Sequence, residues 1–434
     1  MLKTSEFAHL EWPSLRSITM NVDVLIEING QSLTVGELNE TETRGHCTTS
    51  FTFSDEWLSN PNAFEFDPNL SKSKAPHYPK SGKRMFSSIG DSAPDTWGRK
   101  LLDRRELKQA EQENRTRRSL SEIDYLMGVA DITRLGAFRF IQDGEYHGAI
   151  TKAVPTMVSL GDLLEAANKV DKGEETENDL ILLFAPGSSL GGARPKASVT
   201  DQHNRLFIAK FPKESDGYSV ERWEAIAMDM AKDVGLDVCD YELKDASGKL
   251  VYLTNRFDRV GGKLDGDRIP FISAMALTDH DDGDDDCSYL ELSDIITGMG
   301  ASPQKDLPEL FRRMTFSVLI SNVDDHFRNH GFLWVHQKGW RLSPLYDVNP
   351  VYNSSGSLRT NIDYDNSTAS VTLLLEVAKY FAFDIVSAKS EIKRICDIVL
   401  QWETYAKKRK APRSEIELMR RAFEHSETER AKSF

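Results

Sequence analysis

Only four cysteines occur in 434 residues, Cys47, Cys239, Cys287 and Cys396, far apart and without a CxxC pair. Neither a zinc knuckle nor a disulfide framework is indicated, and a reducing cytoplasm is the expected setting. No stretch approaches the roughly 18 to 20 apolar residues needed to span a bilayer. The opening MLKTSEFAHLEWPS has no apolar signal core, so membrane insertion is not expected. Basic residues are outnumbered: 54 Lys and Arg against 68 Asp and Glu give a formal charge of −14. Nonspecific attraction to a polyanion depends on clustered Lys and Arg, so any DNA contact is expected to come through a partner. No internal repeat is found. What remains is an ordinary folded chain, 39% hydrophobic and long enough for two or three domains.

Residues 1–155 read as a compact mixed α/β domain. Its segment VDVLIEINGQSLTVGEL alternates in polarity around Asn29-Gly30, a strong hairpin signal. In SAPDTWGRKLLDRREL, Ser92 and Pro94 precede a helical run, and DYLMGVADITRLGAFRF passes from helix through turn to strand. The stretch NLSKSKAPHYPKSGK reads as an exposed loop. A second region, 156–259, holds a short helix (LGDLLEAANKV), the acidic linker DKGEETEND, a glycine-rich segment and the strand RLFIAKFP. Next comes a helix on which Val220, Trp223, Ala227, Met230 and Val234 share a face, then the strand KLVYLTNRFDR. Residues 260–434 read as mainly helical apart from one hairpin, FLWVHQKGWRL.

The most specific chemical signal is ISNVDDHFRNHGFLWV followed by WRLSPLYDV. Asp324 stands five positions before Asn329, and Asp347 lies just past the hairpin, the D-x-x-x-x-N spacing and downstream metal aspartate of protein kinases. A lone D-x-x-x-x-N match is usually no more than a polar loop; the order of the other parts narrows the choice. Lys210 in IAKF sits where that pattern places a lysine on nucleotide phosphates. Glu224, fourteen residues later, is a candidate for the acid that pairs with it, and Glu221 is an equally placed competitor. His326 is expected to orient the loop, His330 and His336 to be ordinary loop residues, and Trp223, Trp334 and Trp340 to be core.

In APGSSLGGARPKA, Gly187, Gly191 and Gly192 would let backbone N–H groups approach a phosphate, with Arg194 and Lys196 adding charge. A tight turn before a strand accounts for the glycines equally well. Ala193 and Arg194 stand where a Walker loop needs Lys and Ser or Thr, so a P-loop NTPase is rejected.

Together SSLGGARPKA, the IAKF lysine, NRFDR, NVDDHFRN and LSPLYDV, in that order, resemble the HipA family of serine/threonine kinase toxins. SAPDTWGRKLL and TRLGAFRF resemble that family's N-terminal domain, so the likeness covers roughly residues 20 to 400. The resemblance implies an α+β, two-lobed, protein-kinase-like fold: an added N-terminal α/β domain, a small lobe over 156–259 and a mainly helical large lobe over 260–434. It implies ATP and Mg2+ as cofactors, Asp324 as catalytic aspartate, and Asn329 and Asp347 as magnesium ligands. Gly191, Gly192, Lys196, Lys210 and Glu224 would serve the nucleotide, with the hinge backbone near Asn255 and Phe257 meeting the adenine. It further implies autophosphorylation of Ser189, with Ser188 as the neighbour to be confused with it, a HipB-like DNA-binding antitoxin, and a translation factor such as an aminoacyl-tRNA synthetase as substrate.

Arg328 replaces the lysine usual in the catalytic loop, and Asn255 replaces a common hinge acid. The acidic run DHDDGDDD, residues 279–286, reads as a solvated loop; binding a cation or repelling an acidic substrate are its alternatives. It lacks the closing Glu of an EF-hand. Two other readings of the chain stay open: a small-molecule phosphotransferase, which leaves the N-terminal motifs unexplained, and a non-catalytic modulator of a repressor.

Overall fold

The computed structural model describes residues 19–43, 46–146, 154–184, 192–335 and 338–434. The chain divides into two compact units, one of residues up to Leu206 with Lys263–Pro270, the other of Phe207–Gly262 with Phe271–Phe434. Among the described residues no helix is long and apolar enough to cross a membrane.

The first unit begins with β1 (Thr19–Ile28), β2 (Gln31–Thr43), β3 (His46–Phe53) and the short helices α1 (Asp55–Ser59) and α2 (Ser87–Gly90). Then come α3 (Thr96–Gln112), α4 (Glu122–Met127), β4 (Phe138–Gln142), β5 (Glu145–Tyr146), α5 (Leu160–Lys172), α6 (Glu177–Phe184) and β6 (Lys196–Thr200). An antiparallel sheet runs in the order β3-β2-β1-β4-β5. Asn29 and Gly30 turn β1 into β2 with φ of 51° and 73°, the doubly positive backbone that a type I′ hairpin needs. Val22, Val24 and Ile26, alternate residues of β1, are buried, as a period of two demands. The core beside them is aromatic: Phe51, Phe53, Trp57, Phe64, Phe66 and Phe138 meet edge to face at centroid separations of 5.0–6.4 Å.

The motifs of this unit do structural work. Asp95 caps α3 by accepting from Gly98 N (2.8 Å), and its other oxygen pairs with the buried Lys196 ammonium at 2.9 Å. Trp97 donates its indole N–H to the Lys196 carbonyl oxygen (3.1 Å). Arg134, wholly buried, donates to the carbonyls of Ser92, Leu126 and Val129 at 2.8–2.9 Å, and burial lowers its pKa to about 10.

The second unit contains β7 (Leu206–Lys210), α7 (Val220–Val234), β8 (Tyr241–Ala246), β9 (Lys249–Asn255), β10 (Phe271–Ser273), α8 (Ala274–Thr278), α9 (Tyr289–Met299) and α10 (Pro303–Leu319). It continues through β11 (Gly331–Val335), β12 (Gly339–Leu342), α11 (Val371–Val377), α12 (Ile385–Val399), α13 (Trp402–Lys408), α14 (Arg413–Phe423) and α15 (Ser426–Lys432). β9 pairs antiparallel with β7 on one side and β8 on the other. Ser219 caps α7 and Gly235, at φ 85°, ends it.

Helix α7 is held along its length by the C-terminal helices. Arg409 grips Asp229 through two 2.6 Å hydrogen bonds, Tyr405 donates to Asp233 (2.6 Å), Arg394 donates to the Val234 carbonyl (2.9 Å), and Trp223 donates to Glu415 (2.9 Å). The Trp223 ring also packs against Trp402 and Phe423.

Three sequence expectations need correction. β10 adds a third strand to the hairpin of β11 and β12, so this region has more sheet than one hairpin. His330 lies in a loop as expected and is buried there, with Tyr289 packed against it and Asp325 3.2 Å from its Nε2. Trp334 is half-buried rather than core, near the end of β11 with its ring edge-on to Trp340. The supposed acidic linker is largely the end of α5 and the start of α6, with Glu175 buried beside Arg104 at 3.8 Å.

Candidate functional site

Lys210, the last residue of β7, and Glu224, on the inner face of α7, form an ion pair with Nζ–Oε1 2.6 Å. Glu221 lies on the same helix and is buried too, but it is Glu224 whose carboxylate meets the ammonium. The Lys210 ammonium also donates to Asp347 Oδ1 at 2.7 Å, which draws the strand, the helix and the post-hairpin segment to one point. Burial alone would lower the lysine's pKa, but Asp347 and Glu224 raise it above the ordinary value. Burial pushes Glu224 up to about 7 despite Lys210, with Asp347 and Glu221 adding like charge.

Asp347 adopts φ 58°, a left-handed backbone that costs a non-glycine residue free energy and is common at functional positions. The segment around it is tied to the Asp324 loop by three hydrogen bonds. The Tyr346 hydroxyl donates to the Arg328 carbonyl (2.7 Å), Asn349 N to Asn322 Oδ1 (3.1 Å), and Val351 N to the Ser321 carbonyl (3.2 Å). Within the loop, Asn329 Nδ2 donates to the Asp324 carbonyl (3.2 Å), which leaves Oδ1 as its acceptor. The Asp324 side chain is 75% exposed, with Arg359 Nε 3.9 Å from its carboxylate. Phe257 packs against Tyr346, the neighbour of Asp347, at a centroid separation of 5.4 Å. Asn255 N already donates to the Asp240 carbonyl (2.8 Å), and its side chain donates to the Gly262 carbonyl.

Gly192 and Lys196 belong to the first unit, where Lys196 is paired with Asp95; Gly192, at φ 114°, sits so close that an added Cβ would stand 2.9 Å from Lys196 Nζ. Gly191, Ser188 and Ser189, like Gly187 and His336, lie outside the described residues.

Two residues that sequence reasoning passed over belong to this site. Asp325 is buried beside Asp324 and accepts from the Tyr289 hydroxyl and from Ser317 Oγ (3.1 Å), while its carbonyl accepts from Thr360 Oγ1 (2.6 Å). Burial would raise its pKa, but His330 and these hydrogen bonds hold it below the usual carboxylate range. Asn349 donates to Asp347 Oδ1 (3.2 Å), and its own buried Oδ1 accepts no hydrogen bond. The doubled acid in NVDDH was a usable signal for the first; Asn349, two residues after Asp347, had none beyond proximity.

The arrangement is a lysine held by an acid from the neighbouring helix, and a carboxylate and two amide oxygens on one pair of tethered loops. A family model described as the HipA-like C-terminal domain matches residues 188–420, more than half of the chain, and the chain belongs to that family. Shewanella oneidensis HipA, solved with HipB and its operator DNA, has a similar fold: TM-score 0.66 at 15% identity, over 95% of this chain and 96% of that one. The α+β, HipA-like fold expected from the motifs is therefore the fold found. A provisionally named kinase of Sinorhizobium fredii, Y4mE, is 25% identical over 150 residues, 32% of this chain and 33% of the relative. Another provisionally named kinase, from Haemophilus influenzae, is 26% identical over 193 residues, 39% of this chain and 56% of the relative. The matches thus span a third and just over a half of these relatives' lengths.

Proposed function

We propose that the chain is an ATP- and Mg2+-dependent serine/threonine protein kinase of the HipA toxin type. The observation that carries this reading is the Lys210 ammonium held at 2.6 Å from Glu224 and 2.7 Å from Asp347, on a segment hydrogen-bonded to the Asp324 loop. Asp347 brings a carboxylate to this point, and Asn349 Oδ1, buried and accepting no hydrogen bond, supplies a further oxygen donor nearby. An oxygen-only set of this kind suits magnesium. Asp347 and Asn329 would hold the ion, which when bound neutralises charge on the nucleotide phosphates.

Lys210 would bind those phosphates, and Glu224 keeps its ammonium from swinging away. Asp324 would accept the proton of the attacking hydroxyl. Its exposure favours a hydroxyl presented by another macromolecule over one on a small molecule. Phe257 and the hinge backbone around Asn255 would border the adenine. In the glycine-rich loop Ser189 would be autophosphorylated, adding about −1.5 to −2 charges next to the nucleotide and so acting as an off-switch.

A HipB-like antitoxin is the proposed partner, in keeping with the HipB-bound Shewanella protein, and a chain of formal charge −14 would reach DNA through it. The proposed substrate is a translation factor such as an aminoacyl-tRNA synthetase. Labelled ATP and a cell extract, incubated with the purified chain and with its Asp324→Asn form, test the reading. Labelled serine or threonine in protein with the parent alone is expected. Equal labelling in both would discard the role of Asp324, and label confined to small molecules would favour a small-molecule phosphotransferase.

A further inference from the structure

The acidic run ends in groups whose chemistry is not that of a plain solvated loop. His280 follows the end of α8, and Cys287 precedes α9 by two residues. His280 Nδ1 lies 3.2 Å from Asp284 Oδ2 and 3.4 Å from Asp286 Oδ1. Ligand atoms of His280, Asp286 and Cys287 all lie within 4.8 Å of one another. On the other side of the ring, Nε2 lies 3.0 Å from Glu291 Oε2. Cys287 is only 5% exposed, and no other residue hydrogen-bonds its thiol.

We infer that His280 Nδ1, Cys287 Sγ and the carboxylates of Asp286 and Asp284 form a binding site for a borderline divalent cation, zinc or its cobalt surrogate. Three features select this chemistry. A nitrogen, a sulfur and carboxylate oxygens suit zinc, whereas magnesium and calcium take oxygen donors. Glu291 on Nε2 is the orienting carboxylate of a carboxylate–histidine–metal arrangement, because it fixes the ring and leaves Nδ1 as the ligand. A buried thiol facing this many carboxylates is poorly satisfied without a cation. On coordination the thiol gives its proton to water and binds as thiolate, so affinity should rise with pH. A tetrahedral site with metal–ligand bonds of about 2.0–2.3 Å brings its donors to separations of about 3.3–3.8 Å. Donors now within 4.8 Å of one another would close by up to about 1 Å to reach it.

The site would have a reach beyond the loop. The His280 ring meets the edge of Phe327, inside the Asp324–Asn329 segment, at 5.7 Å, and Arg328 Nη1 lies 3.6 Å from Asp282. Asn361 holds the far end by donating its N–H to the Cys287 carbonyl (2.8 Å) and its side-chain amide to the Asp285 carbonyl (2.9 Å). A cation here would fix the floor under the Asp324 loop.

Chelator-treated full-length chain titrated with Co2+ tests the assignment without any enzymatic readout. A thiolate-to-cobalt charge-transfer band growing to one equivalent is expected, with Zn2+ displacing it and raising the Tm. Cys287→Ser should abolish the band. Should that variant fail to fold, the exposed Asp286→Asn provides the second measurement and should weaken Co2+ binding at least about tenfold. No band in the folded parent, a band that survives Cys287→Ser, or unchanged affinity in Asp286→Asn would each overturn the proposal.

Discussion

Two buried charge clusters, one in each unit, are held in different ways. In the first unit, two buried acids have cations closed around them: Asp95 with Lys196, and Asp131 with Arg139 at 2.6 Å and Arg268 at 3.0 Å. Burial would raise the Asp131 pKa, but Arg268 and Arg139 hold it below the ordinary value. In the second, one ammonium serves two carboxylates, and one of these, Asp347, is still 31% exposed. A closed pair does its work in the fold, and breaking it by removing one partner strands the other. The cluster around Lys210, with a part-exposed acid at its edge, is open to a ligand in a way that the buried pair around Lys196 is not.

The largest expected effect falls on chemistry. Asp324→Asn should lower phosphoryl transfer by about two to four orders of magnitude with ATP affinity nearly unchanged, measured by initial rates and by titration calorimetry. Next, the two lysines should part company. Lys196→Met should cost the fold about 3–5 kcal/mol in denaturant unfolding, because it leaves Asp95 buried without its cation. Lys210→Met should cost less than half of that, since Asp347 can turn to water and Glu224 can take up a proton, yet it should remove ATP binding. Equal losses in the two variants would erase the distinction between the buried pair and the open cluster.

A third effect is set by pH. Glu224 has a folded pKa near 7 against an unfolded value of 4.5, so between these limits the native state binds the extra proton. Stability should therefore fall by up to about 3 kcal/mol as pH rises through that window. Glu224→Gln should flatten this part of the profile. The smallest effect is expected at the exposed pair Lys74–Asp55, 2.5 Å apart and fully in water's reach, where Lys74→Ala should leave the Tm unchanged within error.

Much of this was legible in the sequence, for identifiable reasons. The hairpin at Asn29-Gly30 and the apolar face of α7 follow from local rules, and the Lys210, Asp324, Asn329 and Asp347 spacing is a linear motif. Nothing linear separated Glu224 from Glu221, because residues three apart flank the same helical face; the 2.6 Å contact does so. Asp325 was hidden for another reason. Its partners are scattered from Tyr289 to Thr360, and no local pattern announces a hub built from distant elements. β10, three residues long, is too short to show a period. The buried Lys196 was misleading in its setting, since a lysine behind glycines suggests phosphate, whereas its actual neighbour is Asp95, about a hundred positions upstream.

The grip of the C-terminal helices on α7 has a consequence for control. In protein kinases the lysine–glutamate pair is made and broken by moving the helix that carries the glutamate. Here Asp229, Asp233, Val234 and Trp223 are all anchored to residues between Arg394 and Glu415, so swinging that helix outward would mean tearing loose a whole bundle. On the proposed kinase reading, restraint would come from blocking access or from modifying a loop rather than from moving that helix.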